Sequence, residues 1–249
     1  MEDIFAAYEF GPEERALLDR DGHFAFPALL TAAAQNELTQ ALSEIQAQMP
    51  GAEDYKPNHY AAEYNAYLAS LIAHPQLLRL ARDVLGEPLR FDHCVSLNRP
   101  GGDGGAHWHS HAYGEQDPSL GFLRIFFYVN GFTPDDGGLK VVPGSHLYRD
   151  AAIRAVSDDE LRAAWMAGKM HPETGEALTI EELAVPEGTV VLMWTHAAHG
   201  VNPRQAISDT RWAVVYAYRN PGLPSRARWI SEEFEKKGGA GAEGLMSLY

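Results

Sequence analysis

The hydrophobic pattern divides the chain into a helical first third and a β-rich remainder. Across residues 1–88 apolar side chains recur at spacings of three and four, which predicts amphipathic helices. Leu38, Leu42 and Ile45 form one such stripe, and Thr31 can cap the helix that carries it. From residue 89 onward short apolar runs, separated by Gly, Pro, Asp and Asn, predict strands at 89–97, 122–129, 139–142, 189–194 and 212–218.

These elements predict one domain that spans residues 1–249, with a helical part at 1–88 and a β core at 89–220. The run at 122–129 is apolar almost throughout, which is typical of a strand covered on both faces. Strands that follow a helical segment favour an antiparallel barrel or sandwich braced by helices.

Two segments depart from this pattern. The capping box at Ser157 and Glu160 predicts a short helix, and thus a helical insertion at 150–187, which either forms a lid or packs outside the core. The tail at 238–249 is rich in Gly and Ala at its start, and we expect it to be mobile.

Composition and charge exclude several classes of protein. The 249 residues include 20 Lys and Arg against 34 Asp and Glu, a net charge of −14 that disfavours nucleic acid and anionic membranes as partners. The single cysteine, Cys94, cannot form an intrachain disulfide and fits a reducing compartment. No apolar run predicts a membrane span and the first residues lack a signal-peptide pattern, so we expect a cytoplasmic protein.

Three of the 11 histidines fall within five residues, at His107, His109 and His111. Side chains two residues apart on a strand point to the same face, so this spacing predicts that the three imidazoles converge. Neutral imidazole binds Fe(II), Zn, Cu and Ni, so the cluster predicts a metal site without naming the metal.

The segment 194–202 supplies a further candidate ligand. His199 follows a predicted strand, and Arg211 lies twelve residues later at the start of the next one. An arginine can hold a carboxylate through two parallel hydrogen bonds. Histidine ligands with open positions, together with such an arginine, describe a non-haem Fe(II) oxygenase that uses 2-oxoglutarate. The histidines at His146 and His196 are predicted to be structural.

Four segments, in order along the chain, resemble the phytanoyl-CoA dioxygenase family of Fe(II)/2-oxoglutarate-dependent oxygenases. The most specific is Gly-Gly-Leu-Lys-Val-Val-Pro-Gly-Ser-His at 137–146. The others are the opening Asp-Gly-His-Phe with Leu-Leu-Thr (21–31), Trp-His-Ser-His (108–111), and a histidine followed by an arginine (199–211).

The resemblance implies a mainly β fold, the double-stranded β-helix (jelly roll, cupin-like), with the N-terminal helices against its larger sheet. It makes His109 and His199 metal ligands and Arg211 the partner of the 2-oxoglutarate C5 carboxylate. The implied activity is oxidation, most simply hydroxylation, of a small organic substrate by O₂, with Fe(II) as cofactor and 2-oxoglutarate as co-substrate.

Position 111 departs from the family, because the family has a carboxylate where this chain has His111. Three outcomes are open: a three-histidine metal site, a carboxylate supplied by Asp103, Glu115 or Asp117, or a site that has lost oxygenase activity and binds another metal. The corresponding alternative functions are a metal-binding family member without 2-oxoglutarate turnover and a three-histidine cupin-like dioxygenase.

Other residues are candidates for contacts around the metal. We expect Asn98 either to hydrogen-bond 2-oxoglutarate or to serve a turn or ladder. His107 and Arg124 are candidates for supporting the ligands or contacting substrate, although a buried arginine also fits a structural acid. Tyr113 and Trp194 are candidates for the pocket wall, with aromatic core packing as the alternative.

Overall fold

A computed structural model of the chain describes residues 2–49, 55–111, 120–150, 153–222, 228–237 and 242–246. Its strands are β1 (His23–Phe26), β2 (Arg90–Ser96), β3 (Ala106–His109), β4 (Phe122–Tyr128), β5 (Leu139–Val141), β6 (Arg154–Ala155), β7 (Glu181–Glu182), β8 (Thr189–Trp194), β9 (His199–Val201) and β10 (Ala213–Arg219). They form two five-stranded antiparallel sheets, ordered β1-β8-β4-β10-β2 and β6-β3-β9-β5-β7. This is the predicted jelly roll.

The helices are α1 (Pro12–Asp21), α2 (Ala32–Gln48), α3 (Ala61–Tyr64), α4 (Ala66–Leu71), α5 (Pro75–Leu85), α6 (Asp158–Ala163), α7 (Glu232–Lys237) and α8 (Glu243–Met246), with a 3₁₀ helix at Ser145–Tyr148. Thr31 caps α2 by accepting a hydrogen bond from the Ala34 amide at 3.2 Å, as the sequence predicts. Among the described residues no helix is both long and apolar enough to cross a membrane.

The first sheet is buried on both faces, which explains the unbroken apolar run of β4. Leu123, Ile125 and Phe127 pack with the N-terminal helices in one hydrophobic cluster. Phe126 and Tyr128 point the other way, into a second cluster between the two sheets. Because successive strand side chains alternate between faces, both faces of β4 must be apolar.

The insertion at 150–187 is not wholly helical, because it also contributes edge strands β6 and β7 to the second sheet. Its helix α6 covers the outer face of that sheet, where Trp108 of β3 packs with Leu161 and Met166. The Trp108 indole donates a hydrogen bond to Asp158 at 2.8 Å. The insertion therefore packs against the outer side of β3 and is hydrogen-bonded to it.

Part of the tail departs from the expectation of mobility. Residues 238–241 and 247–249 lie outside the described part of the chain. Ala242, Leu245 and Met246, however, are buried in the cluster that the N-terminal helices share with the first sheet. Burial of three apolar side chains gives this segment a fixed place.

Candidate metal centre

Three histidines meet between the two sheets. His109 ends β3 and His199 begins β9, and the two residues face each other in antiparallel register. His111 lies two residues beyond the end of β3, where its amide donates to the Thr195 carbonyl at 3.2 Å. The candidate ligand nitrogens of all three side chains lie within 4.8 Å of one another. Together the three imidazoles form a donor set that can supply three nitrogen ligands to one metal ion.

Hydrogen bonds fix the tautomer of two of these rings. Nδ1 of His109 lies 2.8 Å from the His107 carbonyl oxygen, and Nδ1 of His199 lies 2.9 Å from the Ala197 carbonyl oxygen. A carbonyl only accepts, so each Nδ1 carries the proton and donates it. Nε2 of each ring therefore keeps a free lone pair for a metal ion, and the backbone orients the ring.

Burial keeps the three imidazoles neutral. It lowers the pKa of His109 to about 4, with a smaller contribution from the positive charge of Arg124. Burial likewise holds the pKa values of His111 and His199 well below the ordinary range. Neutral imidazole is the form that binds metals, so the donor set fits a divalent transition metal such as Fe(II).

No carboxylate joins this donor set among the described residues. Asp103 instead pairs with Arg99, at 2.6 Å between Oδ1 and Nη1. Glu115 and Asp117 lie outside the described residues, as does Tyr113. Within the described ranges, position 111 contributes an imidazole where the resemblance leads us to expect an acid.

His107 does not join the cluster. The pairing of β3 with β9 shifts register between Ala106 and His109, because three steps along β3 match two along β9. Such a bulge interrupts the two-residue alternation on which the prediction of a common face rests. His107 is exposed on the outside, where its Nδ1 lies 3.2 Å from the Val156 carbonyl oxygen.

The turn that links β8 to β9 supports the ligands from behind. Arg124, buried on β4, donates a hydrogen bond from Nε to the Thr195 hydroxyl at 3.1 Å. The Thr195 carbonyl in turn accepts the hydrogen bond from the His111 amide. The Ser145 hydroxyl accepts the Ala198 amide at 2.8 Å, one residue before His199. The Pro-Gly-Ser-His motif thus helps to place His199.

A cavity of ≈ 200 Å³ opens beside the histidines and extends between the sheets. Most of its wall is aliphatic or aromatic, and no Asp or Glu of the described residues lines it. Its arginines and histidines are Arg99, Arg124, Arg211, His59, His109, His111 and His199. The cavity therefore presents positive charge and neutral imidazoles to whatever it holds.

Arg211 lies buried in the wall of this cavity. One of its terminal nitrogens donates to the Gly137 carbonyl, and its guanidinium carbon lies 5.6 Å and 5.3 Å from the ring centroids of Tyr128 and Phe132. It makes no ion pair with any acid in the described ranges, and its Nε has no hydrogen-bond partner there. Burial lowers its pKa to about 10, so it stays cationic at neutral pH.

Two predicted site residues lie away from the cavity. The Asn98 amide nitrogen donates to the Leu42 carbonyl of α2 at 3.0 Å, so it takes a structural role rather than facing a co-substrate. Trp194 faces the outside of the first sheet, where its indole donates to Asp19 at 3.2 Å. His146 and His196 are buried apart from the cluster, His146 with its Nε2 2.8 Å from the Asp19 carbonyl oxygen.

The structure adds two wall residues that sequence reasoning missed. His59 and Trp229 line the cavity with ring centroids 4.2 Å apart, although 170 residues separate them in the chain. His59 precedes α3 and Trp229 follows the last described strand, so neither lies in a pattern of periodic residues or a recognised motif. Only the fold brings them together.

Fold and site together define a jelly-roll protein with a candidate metal centre of three histidines and a buried arginine in the same cavity. The family model of phytanoyl-CoA dioxygenase (PhyH) matches residues 18–205, and the chain belongs to this family. The match includes all three histidines, whereas Arg211 lies beyond its end.

A similar curated protein is the dioxygenase lolE1 of Epichloe uncinata, 28% identical over 156 residues, which are 62% of this chain and 55% of that protein. The chain spans about half the length of the curated relatives it matches.

Solved structures share the fold at low identity. SnoK, a non-heme alpha ketoglutarate dependent carbocyclase from nogalamycin biosynthesis, has a TM-score of 0.69 at 18% identity, covering 91% of this chain and 90% of its own. HygX from Streptomyces hygroscopicus, solved with nickel and 2-oxoglutarate, has a TM-score of 0.63 at 18% identity, covering 84% and 87%. These likenesses show the jelly-roll fold.

Proposed function

We propose that the protein is an Fe(II)- and 2-oxoglutarate-dependent oxygenase that acts on a small organic substrate. The observation that carries the proposal is one cavity in which three neutral imidazoles converge within 4.8 Å and a buried arginine lacks an acid partner in the described chain. The family membership and the 2-oxoglutarate bound in HygX support the same assignment.

His109, His111 and His199 would hold the metal through three neutral nitrogens. Bound there, Fe(II) would supply the activation of O₂, coupled to decarboxylation of 2-oxoglutarate to succinate. The carbonyls of His107 and Ala197 keep Nε2 of His109 and His199 available for the metal, because each accepts the Nδ1 proton.

Arg211 would bind the C5 carboxylate of 2-oxoglutarate. A guanidinium holds a carboxylate bidentately, and a buried cation gains most from such a partner because little solvent screens the pair. The aliphatic and aromatic wall of the cavity would exclude water from the reacting groups. At ≈ 200 Å³, the cavity favours a small substrate.

An anaerobic titration tests the proposal. Adding Fe(II) and then 2-oxoglutarate to the purified protein should give the weak visible metal-to-ligand charge-transfer band of a chelated 2-oxo acid. Admitting O₂ should then give succinate. If neither the band nor succinate appears with metal bound, the oxygenase assignment is wrong.

The imidazole at position 111 favours a second candidate, a family member that binds metal without 2-oxoglutarate turnover. Replacing a carboxylate by imidazole removes one negative charge from the ligand set and changes the metal's affinity and redox behaviour. Tight metal binding without a charge-transfer band would identify this second function. A product formed from substrate and O₂ without succinate would instead indicate a three-histidine dioxygenase that needs no co-substrate.

A further inference from the structure

The inner face of the first sheet separates two ends of the cavity. Arg124 and Tyr128 both line the cavity from β4 and lie four residues apart, about 13 Å along an extended strand. Arg211 packs beside Tyr128. Arg124 lies opposite Ala217 of β10, which pairs in turn with His93 of the edge strand β2. The level of Arg124 and His93 is therefore the far end of the cavity, away from Arg211.

Two rings, those of His59 and Trp229, form the wall at this far end. The Trp229 ring centroid lies 4.8 Å from that of His93 and 4.2 Å from that of His59, and both His59 and Trp229 line the cavity. The Glu63 carboxylate of α3 accepts hydrogen bonds from the Ser231 amide at 2.7 Å and the Ser231 hydroxyl at 2.6 Å. The segment that carries Trp229 is therefore fixed by contacts outside the cavity.

The Trp229 indole is an unused hydrogen-bond donor. Its N–H has no hydrogen-bond partner in the described part of the chain, and it is not one of the partnerless atoms that are sealed from solvent. By contrast, the indoles of Trp108, Trp165 and Trp194 each donate to an aspartate, at 2.8, 2.8 and 3.2 Å. An indole N–H donates and cannot accept, so the far end offers a donor to an oxygen of a ligand.

The charge at the far end disfavours a cationic ligand. No Asp or Glu of the described residues lines the cavity, whereas Arg124 does so at this level. Burial lowers the pKa of His59, and the nearby His93 and Arg124 lower it further, so this imidazole is neutral at neutral pH. An ammonium group would lose its water and meet a like charge here. Val95 and Val215 belong to the aliphatic wall, which suits an apolar ligand body.

We propose that Trp229 recognises the primary substrate by donating a hydrogen bond from its indole N–H to a substrate oxygen. The substrate is then a compact, mainly apolar molecule that carries an oxygen acceptor and no positive charge. This inference rests on the proposed function and adds to it a substrate class and a residue that determines specificity.

Three probes of matched size test the hydrogen bond and the charge. Benzyl alcohol ends in a hydroxyl, benzylamine in an ammonium and ethylbenzene in a methyl group. Protein loaded with Ni(II) and 2-oxoglutarate is titrated with each probe and binding is followed by ligand-observed NMR. Trp229→Phe should raise the Kd of benzyl alcohol about 5-fold or more, because a buried acceptor loses its partner, and should leave the Kd of ethylbenzene unchanged. Benzylamine should bind the unmodified protein at least about 10-fold more weakly than benzyl alcohol.

Trp212 provides the matched control. It is half-buried like Trp229 and its indole also has no partner in the described ranges, but it packs on the opposite side of the first sheet, against the cluster that includes the N-terminal helices. Trp212→Phe should bind all three probes as the unmodified protein does. Both variants should bind 2-oxoglutarate with the affinity of the unmodified protein, since neither changes the end of the cavity at Arg211.

The outcomes distinguish two kinds of failure. An unchanged Kd of benzyl alcohol in Trp229→Phe, benzylamine that binds as tightly as benzyl alcohol, or no binding of any probe would each overturn the inference, while 2-oxoglutarate binding to the same protein leaves the proposed function standing. If the unmodified protein takes up Ni(II) but not 2-oxoglutarate, the proposed function fails and the role of Trp229 fails with it.

Discussion

At the scale of single residues, Arg211 carries the most information about what the cavity holds. Its guanidinium is buried, yet its contacts in the described chain are the Gly137 carbonyl and two aromatic rings. A buried charge without an opposite charge costs free energy. Unfavourable features of this kind are typical of functional sites, where a ligand can compensate for them. We therefore expect an anion to bind beside Arg211.

Replacing Arg211 by Gln should separate ligand binding from stability. We expect the Kd for 2-oxoglutarate to rise at least about 30-fold, because one partner of a buried charge pair is lost. Metal binding should persist, and the ligand-free variant should melt no lower, since an uncompensated buried charge is removed. Calorimetry and thermal unfolding measure these effects, and unchanged 2-oxoglutarate binding would refute the role of Arg211.

His111 can be tested against a histidine that lies just outside the cluster. His111→Ala removes one of three candidate ligands and should weaken Ni(II) binding by more than the roughly 10- to 100-fold cost of losing an outer hydrogen-bond partner of a ligand. His107→Ala is the matched control, because that side chain is exposed and the hydrogen bond to His109 comes from the His107 backbone carbonyl, which the substitution keeps. Equal affinities in the two variants would exclude His111 as a ligand.

At the scale of elements, the segment 137–146 links the two ends of the cavity. The carbonyl of its first residue, Gly137, accepts a hydrogen bond from Arg211. Near its end, the Ser145 hydroxyl accepts a hydrogen bond from the Ala198 amide, one residue before His199. Gly137 has a φ of +76°, and a Cβ there would lie 2.5 Å from a side-chain carbon of Arg204 and 3.1 Å from a terminal nitrogen of Arg211. Glycine is needed there for backbone conformation and for space.

Gly137→Ala should therefore cost more than an ordinary glycine replacement. Gly175→Ala is the matched control, since Gly175 has a similar φ of +73° but open space where the Cβ would lie. In both variants the free energy of unfolding should fall by about 1–2 kcal/mol, because alanine is strained in the left-handed backbone region. In Gly137→Ala it should fall further, and this variant should also bind 2-oxoglutarate more weakly. Urea unfolding compares them, and equal losses would show that space at Gly137 is unimportant.

The strands and helices were predictable from the sequence because their signals are local. Thr31 caps α2, and the apolar run of β4 matches its burial on both faces. His107 was misplaced because a bulge is a property of the pairing between two strands, which one strand's sequence does not reveal. The distant partners His59 and Trp229 needed the complete fold for the same reason.

At the scale of the whole molecule, buried histidines make stability depend on pH. Burial lowers the pKa of both His146 and His196 from the ordinary 6.5 to about 4. Between about pH 4 and pH 6.5 these two histidines bind protons in the unfolded chain but not in the folded chain. Stability is therefore fully present above about pH 6.5 and falls as the pH drops towards 4.

Urea midpoints between pH 7.5 and pH 4.5 measure this dependence. We expect a falling midpoint below about pH 6.5 and a shallower fall in His196→Gln, which removes one of the protons involved. His196 is not in the metal cluster, so this variant should still bind Ni(II). A slope identical to that of the unmodified protein would show that His196 does not contribute.

The two sheets differ in a way that bears on local opening of the protein. The first has strands of up to seven residues anchored on both faces, whereas the second has strands of two to four residues. His109 and His199 lie opposite each other on neighbouring strands of this shorter sheet. A metal ion bound to both histidines would link β3 to β9. Amide hydrogens of these two strands should therefore exchange with solvent faster when the metal is removed, while those of β4 and β10 keep their protection.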